Sequence, residues 1–386
     1  MIDSENALRR LLDLLAVPGV TGEERGVIEH VRAEVLRLGV PESAVIVDDA
    51  PSRIPLPSQS GNLIVKLPGT RSGPSRLLMA HVDTVPLVRG AQAVVDGDRI
   101  RPSGATALGG DDRTGVAAIL TALAEITQRG LPHAPVTFLF TVREESGLRG
   151  AAAVRKETLG SVEMGFNFDG SLPHELTIGA VGAAHLEITI RGIAAHAGVH
   201  PERGVSAAAI LAGAITALER GGWLGKIQQA DGSGTSNVGV LRGGEATNVV
   251  LDRLDVSAEA RSHDPAFLQR IVSQFREELS KAAAARTNEA GERGRVEIAV
   301  EDVYPSYALP KDHVAIAAAR AAIASAGLAA TLRISNGGLD ASWLTHKGVP
   351  TVSLGCGQRE IHTTGEYVVI NDYLKSCQIA AALALG

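Results

Sequence analysis

Arg76-Leu-Leu-Met-Ala-His81-Val-Asp83-Thr-Val-Pro86 is the stretch on which the reading of the chain turns. Residues 76–80 predict a short buried strand, apolar and running into a polar end. His81 and Asp83 follow at its C-terminal tip, and two residues apart in extended chain their side chains point the same way. A carboxylate beside a histidine fixes the ring tautomer and raises its basicity, which suits a metal ligand. Many strands end in polar residues, so the motif gains weight only from what the neighbouring strands carry.

Working outward, residues 136–142 predict a continuous apolar strand that ends in Arg143-Glu144-Glu145-Ser146-Gly147. Residues 164–168 predict another, ending at Asp169-Gly170. Between the 76–86 stretch and residue 136, Gly109-Gly110-Asp111-Asp112-Arg113-Thr114-Gly115 leads into an Ala/Ile/Leu helix reaching about residue 128. Upstream, residues 4–15 form an amphipathic helix, and a second helix opens at Thr21, where Thr21 and Glu24 fit a capping box. Residues 51–61 read as a loop, 61–67 as a strand, and 94–101, with Asp96-Gly97 at the centre, as a hairpin. Strands alternating with helices indicate an α/β fold, a mostly parallel sheet with helices on both faces. In such sheets sites form outside the carboxyl ends of the strands, where His81, Glu144, Glu145 and Asp169 all fall.

The pattern changes near residue 180. Residues 185–191 alternate as a half-exposed strand, and helices at 204–218 and 265–285 are interleaved with strands at 235–241, 251–261 and 295–300. That β-α-β-β-α-β order is the split-βαβ (ferredoxin-like) α+β plan. Residues 180–302 are therefore expected to be an inserted domain, and 1–179 with 303–386 a discontinuous outer domain. After Pro310 the βα pattern resumes, with helices at 311–326 and from Asn371 and a strand at 350–354.

The 386 residues are 45% hydrophobic and 21% charged, as in ordinary globular enzymes. With 3% aromatics, the core must come from Ala, Val, Leu and Ile. A formal charge of −6 without a Lys/Arg stripe argues against nucleic acid and against an anionic membrane surface. No stretch reaches the ~18 apolar residues of a membrane span. Two cysteines, Cys356 and Cys377, are too few for a disulfide framework and agree with a reducing, cytoplasmic compartment. The first residues lack the basic and apolar regions of a signal peptide.

His81, Asp83, Asp111, Asp112, Glu144, Glu145, Asp169 and His362 thus make one nitrogen-and-carboxylate set without thiolates, which suits zinc, with manganese or cobalt as alternatives. Five ligands exceed the need of one tetrahedral ion and suit two ions bridged by a carboxylate and a water. The adjacent Glu144 and Glu145 can divide the work, one on metal and one accepting a proton. Taken singly, Glu144-Glu145 reads as a solvated loop and Asp169-Gly170 as a turn. Their shared place at one sheet edge favours the site.

His81-Val-Asp83-Thr-Val-Pro86, Gly110-Asp111-Asp112-Arg-Thr-Gly115, Glu144-Glu145-Ser-Gly147 and Phe168-Asp169-Gly170 resemble peptidase T and its relatives. These belong to the two-zinc family of glutamate carboxypeptidases, aminoacylases and succinyl-diaminopimelate desuccinylase. His196-Ala-Gly198, Thr247-Asn248, Gly338-Leu-Asp340 and Ile361-His362-Thr363 extend the resemblance over nearly the whole chain. It implies a zinc-exopeptidase-like fold and a metal-dependent exopeptidase of short peptides, in the manner of a tripeptide aminopeptidase. The cofactor it implies is two divalent metal ions, zinc first. Asp111 would bridge them, His81 and Asp169 completing one site and Glu145 and His362 the other. Glu144 would be the general base, and Asp83 would orient His81. A cis peptide is expected at Asp111–Asp112. His196, from its own or from the partner subunit, would stabilise the oxyanion, while Asn248 and Arg261 would hold the substrate's amide and carboxylate, a guanidinium offering two parallel bonds. A homodimer through the inserted domain is also implied. Taken without the resemblance, His196 is a surface loop histidine and Arg261 a strand-end ion pair. Asp340 reads equally as a helix N-cap. No residues match those that would grip a peptide α-amine. Carboxypeptidase or N-acyl amino acid hydrolase action stays as the alternative, and an inactive binding protein as the remote one.

Overall fold

A computed structural model describes residues 2–386. The chain separates into two compact units, one up to Ala180 and from Ala308 to Gly386, the other Val181–Tyr307. The strand Arg295–Tyr304 carries the second unit a few residues past the expected end at 302.

The first unit is built on a nine-stranded sheet. Its centre is parallel: Arg76–His81 lies between Val136–Thr141 and Met164–Phe168, and Thr351–Leu354 continues beside the latter. Each of the first three is almost wholly buried, as apolar runs of this kind require. Leu63–Leu67 joins antiparallel to Val136–Thr141, so the sheet is mixed at its margin. Glu175–Ala180 and Thr331–Ser335 form a further parallel pair that the sequence patterning did not reveal. A smaller four-stranded sheet contains the Ala93–Asp96 and Arg99–Pro102 hairpin together with Gln358–Arg359 and Tyr367–Val369.

The expected capping box at Thr21 does not form. The helix runs Arg25–Arg37 without a side-chain cap. Thr21 Oγ1 instead donates to Ser146 Oγ at 3.0 Å, and the Glu24 carboxylate accepts from the Gly22 and Arg143 N–H groups. Both side chains are taken by the segment after Val136–Thr141, and a tertiary partner outcompetes a local cap.

The second unit is a five-stranded antiparallel sheet in the order Gly225–Gln229, Gly232–Arg242, Arg253–Ser262, Gly182–Arg191, Arg295–Tyr304. The expected four-strand plan is corrected by Gly225–Gln229. Only Ile227 of that strand is buried, so it carries no apolar alternation to read. Leu186, Ile188 and Ile190 face a core with Ile210 and Leu211 of helix Ala207–Arg220 and Phe267, Ile271 and Phe275 of helix Pro265–Ala284. Each such side chain contributes about 1.5–3 kcal/mol by leaving water. Asp264 caps the second helix, accepting from Ala266 N–H at 2.8 Å, with Pro265 at its first position.

One close approach in the first unit brings the site together. Helix Gly110–Arg129 is regular only after Asp112, because Asp111 and Asp112 lie outside helical φ/ψ, and the peptide between them is cis, as the sequence motif implies. At Gly115 a Cβ would stand 1.9 Å from the Phe168 carbonyl oxygen and 2.5 Å from Asp112 Oδ1. The missing side chain lets the helix start press onto the strand end that bears Asp169. Glycine to alanine in a helix ordinarily stabilises by ~0.5–1 kcal/mol. For Gly115→Ala we expect the opposite sign, a loss of about 1–3 kcal/mol from overpacking, measured by urea unfolding.

Candidate metal centre

The parallel register sets His81 opposite Thr141 and Met79 opposite Asn167, so three strand ends leave the sheet on one side. His81 is the last residue of its strand; Glu144 and Glu145 follow the second strand and Asp169 the third. Asp111 comes from the helix start, and His362 from the loop between Gln358–Arg359 and Tyr367–Val369, at φ +63°.

Asp111 is the meeting point. His81 Nε2 lies 3.3 Å from its Oδ1, and His362 Nε2 lies 3.1 Å from its Oδ2. His362 Nε2 is also 2.9 Å from Glu145 Oε1, and Glu144 Oε2 stands 3.9 Å from His81 Nε2. One ligand atom each from His81, Asp111 and Glu145 falls within 4.8 Å of the others, and the same holds for His81, Asp112 and Asp169. All of the expected metal residues therefore converge, and Asp112 joins them. Asp112 also has structural bonds, accepting from His81 N–H at 3.3 Å and Gly115 N–H at 3.1 Å.

Asp83 lies against His81 and against both glutamates. His81 Nδ1 is 3.0 Å from the Asp83 carbonyl oxygen and 3.5 Å from its carboxylate. The carboxylate, fully buried, instead accepts from Glu144 N–H at 3.0 Å and Glu145 N–H at 3.2 Å. Asp83 thus orients the imidazole through its main chain and the two glutamates through its side chain.

Electrostatics follow from crowding acids out of water. Burial pushes the Glu144 carboxyl well up; His81 opposes this, and the charges of Asp169 and Asp340 add to it. Burial and then the Asp111 charge push Asp169 up to about 7. Burial would raise Asp111 too, but hydrogen bonds from His362 and His81 outweigh it and hold that carboxyl far below its ordinary range. Those bonds, to Asp111 and then Glu145, push His362 up to about 10. Acids outnumber imidazoles among these mostly buried groups, an arrangement that cations relieve. Hard oxygen donors with imidazole nitrogens suit zinc, manganese or cobalt.

Asp340 is not an N-cap, since its helix, Asp340–His346, has Leu339 at that position. Its carboxylate is buried, accepts from Thr141 Oγ1, and leaves Oδ1 without a partner. Gln358 and Glu366, neither singled out by the sequence, bond to Asp111.

In the second unit, Ala197 N–H donates to Asn248 O and Val250 N–H to Ala195 O, each at 2.9 Å, so His196 and Asn248 lie on neighbouring rungs of one short ladder. His196 is exposed, and its Nδ1 accepts from Gly198 N–H at 3.2 Å. That bond selects the tautomer with hydrogen on Nε2. Arg261, next to the last residue of its strand, is paired with Glu259 at 3.0 Å, the ion pair of the simpler reading, while its Nε is buried without a hydrogen-bond partner.

Burial pushes the Asp340 carboxyl up to about 6, against the pull of Thr141. Its neutral form is therefore the one favoured by folding, and stability is lost as pH rises from about 4 through about 6. Asparagine keeps the oxygen that faces Thr141. In chelator-treated protein, Asp340→Asn should match the parent near pH 4 and exceed it by on the order of 1–3 kcal/mol above pH 7, read from unfolding curves at both pH values.

The sequence pattern of Peptidase family M20/M25/M40 matches residues 77–386. The Bacillus subtilis (strain 168) protein YqjE is 31% identical over 384 residues, covering 99% of this chain and 98% of that one. Among solved structures, aminopeptidase PepT from Bacillus cereus ATCC 10987 superimposes with a TM-score of 0.87 at 31% identity, covering 99% of this chain and 98% of that one. A tripeptidase from Staphylococcus aureus subsp. aureus Mu50 gives 0.89 at 31% identity, with 100% and 98% covered. No helix among the described residues is long and apolar enough to cross a membrane. With a matching pattern over most of its length and acids and imidazoles converging at the strand ends, the chain belongs to peptidase family M20/M25/M40 and is a metallopeptidase.

Proposed function

We propose that this metallopeptidase is an exopeptidase of short peptides, di- or tripeptides, acting in the cytoplasm and using two divalent ions, zinc first. The observation that carries the reading is one buried carboxylate, Asp111, with an imidazole nitrogen against each of its two oxygens. Asp111 would bridge the ions, with His81 and Asp169 holding one and Glu145 and His362 the other. Bound there, the ions would polarise the scissile carbonyl and acidify a water.

The chain's own residues account for the rest. Glu144 takes the proton of the attacking water and delivers it to the leaving amine. Asp83 fixes the Glu144 main chain and so the direction of the carboxylate. His196, with hydrogen on Nε2, offers a donor to the developing oxyanion. Asn248 and Arg261 hold the substrate's amide and carboxylate. We read the 181–307 unit as the lid and dimer-forming unit. Its outermost strand, Arg295–Tyr304, pairs on one side only among the described residues, which leaves an edge for a second copy.

Glu144→Gln should lower kcat about 10²–10⁴-fold while the bound-metal content, measured by elemental analysis, stays at the parent value. Unchanged turnover would remove Glu144 from the mechanism. Tripeptides assayed against N-acyl amino acids, with and without chelator, decide the substrate end. Release of the N-terminal residue is expected; release of the C-terminal residue alone would make the enzyme a carboxypeptidase.

A further inference from the structure

His362 is carried on a hairpin. Gln358 pairs with Val368 and Arg359 with Tyr367, and residues 360–366 form the loop between them. The loop is ordered by its own bonds: Thr363 Oγ1 donates to the Glu360 carbonyl at 2.7 Å, and Gly365 N–H to Thr363 Oγ1 at 3.1 Å. Both ends of this hairpin hold the start of the helix that bears Asp111.

At one end, Gln358 Nε2 donates to Asp111 Oδ1 at 2.9 Å. The Thr114 hydroxyl donates to the Gln358 amide oxygen, which turns the amide so that its nitrogen faces Asp111. At the other end, Glu366 Oε2 accepts from Leu108 N–H at 2.8 Å and Gly109 N–H at 2.9 Å, and its Oε1 accepts from Asp111 N–H at 3.0 Å. Gln358 and Glu366 are each 1% exposed. Gly110 keeps the space clear, since a Cβ there would stand 2.8 Å from Val368 Cγ2 and 3.2 Å from Glu366 Oε1. A buried carboxylate taking three main-chain N–H groups is costly to desolvate and fixes what it touches.

We propose that Gln358 and Glu366 are positioning residues, a two-point clamp that sets the spacing between Asp111 and His362 and thereby the affinity of the second cation site, formed with Glu145. This rests on the two-ion reading above. His81 and Asp169 sit at the ends of sheet strands, and their placement does not depend on the hairpin. His362 is 46% exposed, and among the described residues its imidazole nitrogen meets Asp111 and Glu145. Releasing the clamp therefore loosens the site containing His362 more than the site containing His81.

The test titrates metal-free full-length protein with Zn²⁺ by calorimetry and with Co²⁺ by visible absorption. The parent should bind two ions. Gln358→Ala, Gln358→Glu and Glu366→Gln should each keep the tighter ion and weaken the other about 10- to 100-fold, the range for partners of metal ligands. Gln358→Glu keeps the reach of the side chain but replaces the donor with an acceptor, and it decides the matter if Glu366→Gln fails to fold. Two ions bound at parental affinities by the folded variants would overturn the clamp alone. Fewer than two bound by the parent would overturn both the clamp and the two-ion reading.

Discussion

Parallel strands cannot choose where they end relative to one another. Once Arg76–His81 is bracketed by Val136–Thr141 and Met164–Phe168, the residues after all three must share one edge. In this protein those residues are mostly acids, and the edge is covered by the helix start and the His362 hairpin. Like charges are thus forced together away from water, and the rest of the catalytic unit answers that constraint. Imidazoles hold Asp111 ionised while burial pushes Glu144 and Asp169 the other way. Main-chain N–H groups are spent on Asp83, Asp112 and Glu366. The same crowding makes this edge receptive to cations.

The legibility of the sequence followed the range of the forces involved. Continuous apolar runs at 76–80, 136–142 and 164–168 are local signals, and they located the central strands and hence the acids at their ends. Gly225–Gln229 buries one side chain and gave no pattern to read. Thr21 and Glu24 matched a local capping rule, yet their partners lie more than a hundred residues away, at Ser146 and Arg143. Gln358 and Glu366 escaped notice for the same reason, since each acts by touching a helix some 250 residues upstream. Motif resemblance supplied what pattern could not: the assignment of His362 and the cis peptide between Asp111 and Asp112.

The second unit follows a different logic. Its sheet is apolar on the face that packs against two helices, and the remaining alternate positions are polar. His196 and Asn248 owe their proximity to two main-chain hydrogen bonds rather than to a shared core. Arg261 keeps Glu259 as a partner at 3.0 Å, both side chains half-buried on the polar face of the sheet.

Asp83 ties the main chain of Glu144 to that of Glu145 through the two oxygens of one carboxylate. Neighbouring amides gripped in this way cannot shift independently. Any backbone movement that retunes the reach of one glutamate carries the other with it. Variation in chemistry at this edge must therefore come from side-chain length and rotamer, or from the surrounding loops, and not from sliding the peptide that joins the pair.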